Sequence, residues 1–242
     1  MLKKILSQVV LFFSCFALAQ ANSPLKDTPV FKVCEVEVHQ GRLVDFEQIS
    51  RRNIFVTMAS DAGPLSMYYL RSTDNPYKAY HIEIFTNKQS YNHYLNTEYF
   101  QDYHDTITQL SRTVNDNCNL QAQYLYDKSF MQNGKNKVIL VKVEIKDRYR
   151  EQYRKELIKF FDEIRNSDNK VLALYAGLNN KQWVFIEVFG NEQDYQAHLS
   201  GSSFQSYLNS TSKMIKSREV LPITPLFLMS KGSMNFSING LN

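Results

Sequence analysis

One stretch of this chain occurs twice, and that repetition limits the fold more than any other feature. Ile82-Glu83-Ile84-Phe85 returns as Ile186-Glu187-Val188-Phe189 at an offset of 104 residues. At the same offset Asn87, Gln89, Tyr91, Leu95, Phe100, Gln101 and Tyr103 match Asn191, Gln193, Tyr195, Leu199, Phe204, Gln205 and Tyr207. With Ile82, Glu83 and Phe85 these make ten identities in the 22 positions 82–103, where average residue usage gives about one or two. The preceding parts align more weakly, with Cys34, Val36, Val38 and Phe46 opposite Val141, Val143, Ile145 and Tyr153. The repeat predicts two copies of one domain, 30–127 and 136–231. The polar stretch from Asp127 to Asn136, with Gly134, reads as their linker.

Each copy has the same predicted order of elements. Val33 to Val38 alternates, with Cys34, Val36 and Val38 on one face and Glu35 and Glu37 on the other, which reads as a strand. Val138 to Ile145 does likewise. Leu43, Phe46, Ile49, Asn53 and Val56 fall at helical spacing, as do Tyr149, Tyr153, Leu157, Phe160 and Ile164. Leu65–Leu70 and Ala79–Phe85 then read as two strands, matched by Val171–Ala176 and Trp183–Phe189. Asn87 and Asn191 are placed to cap second helices. Last strands follow near Leu120–Tyr126 and Val220–Leu228. The order is β-α-β-β-α-β, a ferredoxin-like α+β arrangement.

The start of the chain carries a different message. Lys3 and Lys4 precede an apolar run from Ile5 to Leu18, and Ala19-Gln20-Ala21 ends it with a small-x-small pattern. Residues 1–21 therefore read as a secretory signal peptide, since the run falls short of the roughly 20 apolar residues of a membrane span. Phe12-Phe13-Ser14 before Cys15 is a poor lipoprotein site. The expectation is a periplasmic or secreted protein. The formal net charge is +4, and Lys3 and Lys4 supply two of those charges. So small a balance gives no electrostatic reason for nucleic acid or an anionic membrane as partner. Cys34 and Cys118 remain after signal removal, which permits one disulfide in an oxidising compartment.

Several of these residues resemble those of a known family, the antibiotic biosynthesis monooxygenase (ABM) domain of the dimeric α+β barrel group. In the first copy they are Val38-x-x-Gly41 leading to Phe46, Gly63 before Leu65–Tyr69, Glu83-x-Phe85, Leu95 and Phe100. In the second, Glu187-x-Phe189, Ala197-His198-Leu199 and Phe204 are similar to the family's E-x-[WY]…A-H-L…F stretch. Single-domain members pair two chains so that their sheets close a barrel. Two copies on one chain imply an intramolecular version, a monomeric pseudo-dimer with a pocket between each sheet and its helices. The family includes cofactor-free quinol or anthrone oxygenases, haem-degrading enzymes, isomerase-like members and members without known activity.

Glu83 and Glu187 sit mid-strand among aromatic residues, where a desolvated carboxylate is a proton acceptor or, alternatively, a structural tie. Tyr94 and His198 share the position at which many ABM domains turn a His to the pocket. The resemblance gives His198 a proton-accepting role, against the alternative of an ordinary helix histidine. Leu95-x-x-x-x-Phe100-x-x-x-His104 resembles the stretch ending in the iron-binding His of haem-degrading members, with Tyr94 and Cys34 departing from their other signature positions and Leu208 opposite His104. In the ferredoxin-like order the first and last strands are antiparallel neighbours, which brings Cys34 and Cys118 within reach of a disulfide. The alternative makes Cys34 a small buried residue, because Val141 stands at the matching site. Aromatic side chains such as Tyr68, Tyr69, Tyr80, Phe85, Tyr91 and Phe100 either line a flat apolar pocket or fill the core.

Phosphate loops, Ser-His-Asp patterns, paired catalytic carboxylates and dinucleotide fingerprints are all missing. The sequence reading is thus an exported tandem ABM-domain protein, a cofactor-free monooxygenase for a quinol-like or other small aromatic substrate. Its alternative is a non-catalytic binding protein for haem or another flat apolar ligand.

Overall fold

The computed structural model describes residues 25–113, 118–167, 170–232 and 234–238. The predicted signal peptide and Cys15 lie outside the described residues. The first half runs β1 (Val30–Val38), α1 (Leu43–Ser60), β2 (Pro64–Ser72), β3 (Lys78–Phe85), α2 (Lys88–Leu95), α3 (Glu98–Leu110), β4 (Ser111–Thr113) and β5 (Asn119–Asp127). The second runs β6 (Lys137–Ile145), a single 3-10 turn, α4 (Arg150–Ser167), β7 (Val171–Asn179), β8 (Gln182–Phe189), α5 (Glu192–Ser200), α6 (Ser202–Thr211), β9 (Ile215–Leu221) and β10 (Ile223–Ser230). A short β11 (Asn235–Ser237) then pairs with β5. The fold is α+β with an antiparallel sheet, and the same order of elements recurs in both halves.

Local chemistry explains where the elements begin and break. The side chains of Asn87 and Asn191 accept hydrogen bonds from the backbone of Ser90 and Asp194, each starting a helix as their position predicts. The second helix of each half is split, a feature not anticipated from periodicity. Thr97 caps α3 by accepting from Phe100 N, while its hydroxyl donates to the Tyr94 carbonyl. Gly201 makes the corresponding break before α6.

The predicted strand Leu120–Tyr126 is β5, preceded by the short β4, whereas the predicted Val220–Leu228 is divided between β9 and β10, and in both halves the later strand changes partner. β4 pairs with β1, whereas β5 touches β1 only at Phe31 and Lys32 and then pairs along β7 of the other half. β9 pairs with β6, and beyond Pro222, β10 pairs with β2 of the first half. Proline has no N–H to donate, so it suits such a transfer point. The ladder reads β10-β2-β3-β1-β5-β7-β8-β6-β9, and its two ends are consecutive in the chain. Each half thus lends its final strand to the sheet of the other. At one crossing, β5 against β7, a Cβ on Gly177 would lie 2.7 Å from the Leu120 side chain. Glycine permits that close approach.

Strand alternation divides the core into three. Phe31, Tyr68, Ile82, Ile84, Tyr175, Ile186 and Val188 belong to a cluster drawn from the strands of both halves. Phe46, Tyr69, Phe85 and Tyr94 pack between the first sheet and α1–α3, and Phe160, Phe161, Phe185 and Phe204 between the second sheet and α4–α6. The shared cluster contains one buried acid. Asp127 accepts from Tyr175 Oη at 2.9 Å and from Met234 N at 2.7 Å, and Ser230 also donates to it. Tyr175 is in turn 2.8 Å from Tyr68 Oη. Among the described residues no helix is long and apolar enough to cross a membrane.

Candidate active site

With Tyr80, Ile82 and Ile84 turned to the shared core, β3 presents His81, Glu83 and Phe85 to the helices of its own half. The register of β1 sets Lys32 directly across from Glu83 and Cys34 directly across from His81. These four residues and Val36 floor a cavity of ≈ 450 Å³. Tyr91 of α2 and Phe100, Tyr103, His104, Ile107 and Thr108 of α3 wall it, and Ser111, Arg112 and Thr113 edge it. That is within the roughly 300–1,000 Å³ of small-molecule sites.

Charge and hydrogen bonding order the floor. Lys32 Nζ donates to Tyr91 Oη at 2.5 Å and stands 4.8 Å above the Tyr91 ring. Burial raises the Glu83 carboxyl above the usual range, and Lys32 partly offsets that rise. For Lys32, burial pulls downward but Glu83 and the Tyr91 hydroxyl outweigh it, so its pKa is raised. His81 Nδ1 is 3.0 Å from Tyr103 Oη, while its buried Nε2 has no hydrogen-bond partner. Burial lowers the His81 pKa to about 4, which leaves the ring neutral at physiological pH. The sulfurs of Cys34 and Cys118 are bonded, with Cα atoms 4.7 Å apart, so a disulfide forms part of the floor.

The structure distributes the sequence-predicted residues unevenly. Glu83 and Cys34 are on the floor and His104 is on the wall, where its side chain is 56% exposed and 3.8 Å from Asp105. Tyr94 is fully buried beside Phe85 and Phe100, its hydroxyl accepting from Asn53 Nδ2 at 2.9 Å, and it does not line the cavity. His198 is buried among Phe160, Phe189 and Phe204, with Nε2 4.0 Å from Glu187. Burial also raises the Glu187 carboxyl, against the pull of His198 and Arg218. Lys32, Tyr103 and Arg112 were not singled out from sequence, and His81 figured only as a neighbour of Glu83. Their convergence depends on cross-strand register, which no local pattern reveals.

In the second half Ile139 stands across from Glu187, and Val141 across from Phe185. The equivalent space is only ≈ 30 Å³. Phe160, at the helix position of Asn53, stacks on Tyr207 with centroids 4.5 Å apart and planes 11° from parallel. Leu208 replaces His104.

Residues 29–106, from β1 into α3, match the family model for antibiotic biosynthesis monooxygenase. That match lies wholly within the first half. Solved structures extend the likeness in fold over nearly the whole chain. A candidate monooxygenase from Lactobacillus acidophilus has 21% identity and a TM-score of 0.78, covering 86% of this chain and 99% of its own. One from Fusobacterium nucleatum has 18% identity and a TM-score of 0.80, with 87% and 98% covered. An anthrone oxidase-like protein has 7% identity and a TM-score of 0.52, with 84% and 94% covered. No curated protein matches the chain. The floor of the cavity, with Lys32, Glu83 and His81, lies within the matching segment, while Ile107, Thr108 and Ser111–Thr113 on its wall and edge lie beyond it.

Proposed function

We propose that the first half is a cofactor-free monooxygenase site for a quinol-like or other small aromatic substrate, and that the second half completes the barrel without a second active site. The observation that carries this reading is the Glu83–Lys32 pair on the floor of a roomy cavity between the first sheet and its helices. Glu83, with its raised affinity for a proton, removes an acidic proton from the ring system. Lys32 and Tyr91 hold the resulting anion. Dioxygen accepts two electrons from that anion and forms a C–O bond, and protonation gives a hydroperoxide. Loss of the remaining proton from the same carbon breaks the O–O bond, leaving a carbonyl and water. The oxidant is dioxygen alone, and the substrate supplies all the electrons.

Haem fits these residues poorly. His104 is a single, largely exposed ring at the wall, and the floor beneath it bears a lysine, a glutamate and a histidine rather than an apolar bed for a macrocycle. Among the described residues no cluster of three or more His, Cys, Asp or Glu side chains is placed to hold a metal ion. No step is derived through either.

Export belongs to the same proposal. The Lys3-Lys4 start, the apolar run and Ala19-Gln20-Ala21 support it, and the Cys34–Cys118 bond suits an oxidising compartment. Because the halves exchange strands within one chain, the mature protein is proposed to be a monomer.

Oxygen uptake with 1,8-dihydroxyanthrone tests the activity. Uptake with formation of the anthraquinone supports the reading. Binding of the anthrone without uptake replaces it with a ligand-binding role. A Soret band on titration with haemin would overturn the judgement on haem.

A further inference from the structure

Behind the first-half cavity lies a group of buried polar atoms that the proposed chemistry has not used. His81 Nε2 and Tyr69 Oη are each buried and without a hydrogen-bond partner, and Ser50 Oγ, buried beside them, has the Tyr103 hydroxyl as its polar neighbour. Tyr69 is the direct cross-strand neighbour of His81, and their rings meet edge to face at 5.3 Å. Ser50 lies within hydrogen-bonding reach of the Tyr103 hydroxyl, which itself bonds to His81 Nδ1, and Tyr69 is close enough to interact with it. The four groups therefore form one nest around the inner end of Tyr103.

The second half shows that this fold does not require them. The positions of Ser50, Tyr69 and His81 are taken there by Leu157, Ala176 and Phe185, all apolar and in contact with one core. Buried polar groups left short of partners cost stability that hydrocarbons do not. A buried water, which takes two to four polar partners in one place, would satisfy them together.

We propose that Ser50, Tyr69 and His81 bind a single water behind the cavity, and that this water, the His81 imidazole and Tyr103 pass a proton into the cavity. The water site stands by itself; the relay rests on the oxygenase reading. Tyr103 gives its hydroxyl proton to the peroxide oxygen and takes the proton on His81 Nδ1. Nε2 takes a proton from the water, which is resupplied through Tyr69. The imidazole changes tautomer and never holds two protons, in keeping with a ring that burial keeps neutral. Tyr69 lies in the field of Glu47, Arg71 and Arg51. The Glu47–Arg71 pair, 2.5 Å apart and partly exposed, provides the outer end. From the cavity side the relay is faced by Lys32, Glu83 and His104, which also enter any pH profile of the reaction.

Two measurements on the full mature chain test this. A crystal structure with ordered solvent should show one water within hydrogen-bond distance of His81 Nε2, Ser50 Oγ and Tyr69 Oη, and a dry nest overturns the site. The double variant Ser50→Ala/Tyr69→Phe should bind 1,8-dihydroxyanthrone as the wild type does but oxygenate it at least 10-fold more slowly. Unchanged turnover overturns the relay. A wild-type chain with no oxygen uptake removes the relay together with the oxygenase reading, while the water measurement still decides the site.

Discussion

The two halves share a strand order, a mid-strand glutamate and a pair of helices over the sheet, yet the space beside that glutamate is ≈ 450 Å³ in one and ≈ 30 Å³ in the other. Four exchanges account for most of the contrast. Lys32, Asn53, His81 and His104 in the first half stand where Ile139, Phe160, Phe185 and Leu208 stand in the second. Replacing polar side chains by larger or apolar ones closes the space and puts isoleucine in place of the lysine across from the glutamate, leaving Arg218 as a neighbouring cation. The same backbone therefore holds an open cavity on one side and filled packing on the other, with a glutamate in both.

The comparison breaks most sharply at the glutamates. Glu83→Gln should lower turnover of 1,8-dihydroxyanthrone by about 10²–10⁴-fold, the usual contribution of a general base. Glu187→Gln should leave it within about 3-fold. Equal losses in oxygen uptake would make the halves functionally equivalent and end the asymmetry argument.

Packing gives the next contrast. Phe160→Ala, in the filled half, should cost about 3–5 kcal/mol in urea unfolding, the usual range for a buried phenylalanine. His104→Ala, on the open wall, should cost less than about 0.5 kcal/mol. The disulfide sharpens the difference further, because the second half has no equivalent. It closes a loop with a sequence separation of 84, so its loss in a Cys34→Ala/Cys118→Ala variant should lower stability by roughly 4 kcal/mol in the chain-entropy model. A loss below about 1 kcal/mol would show that strand pairing already confines the loop.

His81 gives the smallest of these effects, and it depends on pH. Burial lowers its folded pKa to about 4 from the ordinary 6.5, so the folded state favours the neutral ring. That contribution is fully present above pH 6.5 and declines as the pH falls toward 4, by about 3 kcal/mol at 1.36 kcal/mol per unit. Glu83, Glu187 and Asp127 work in the opposite sense, because their raised pKa values favour the folded state on acidification. The effect must therefore be read as a difference. Between pH 7 and 4.5, His81→Phe should lose less stability than the wild type, and parallel curves would show that His81 does not titrate with unfolding.

Much of this architecture is written in local patterns. The repeat announces a fold built twice, alternation in β1 and β3 identifies the faces, and Asn87 and Asn191 mark helix starts. Alternation also brought out Glu83, since a charge at a core-facing position is visible without coordinates. The strand exchange was not legible, because β5 pairs with β7 and β10 with β2 through contacts that no stretch of sequence encodes. Lys32 escaped notice for the same reason. Only the register of β1 against β3 puts it opposite Glu83. Tyr94 and His198 share a position in the repeat, yet their surroundings differ: aromatic rings enclose Tyr94, whereas His198 packs on Phe204 and also borders a space of ≈ 370 Å³ between α4 and α5–α6.

The exchanged strands carry a consequence for how such a chain can change over time. Residues 128–136 join β5 to β6, so the partner of each half is always the other half of the same molecule. In a barrel made from two identical chains, every substitution lands on both sides at once, and filling one pocket fills both. Here a substitution lands once. One side carries phenylalanine and leucine where the other has asparagine, histidine and an open space, an asymmetry that a pair of identical chains could not hold.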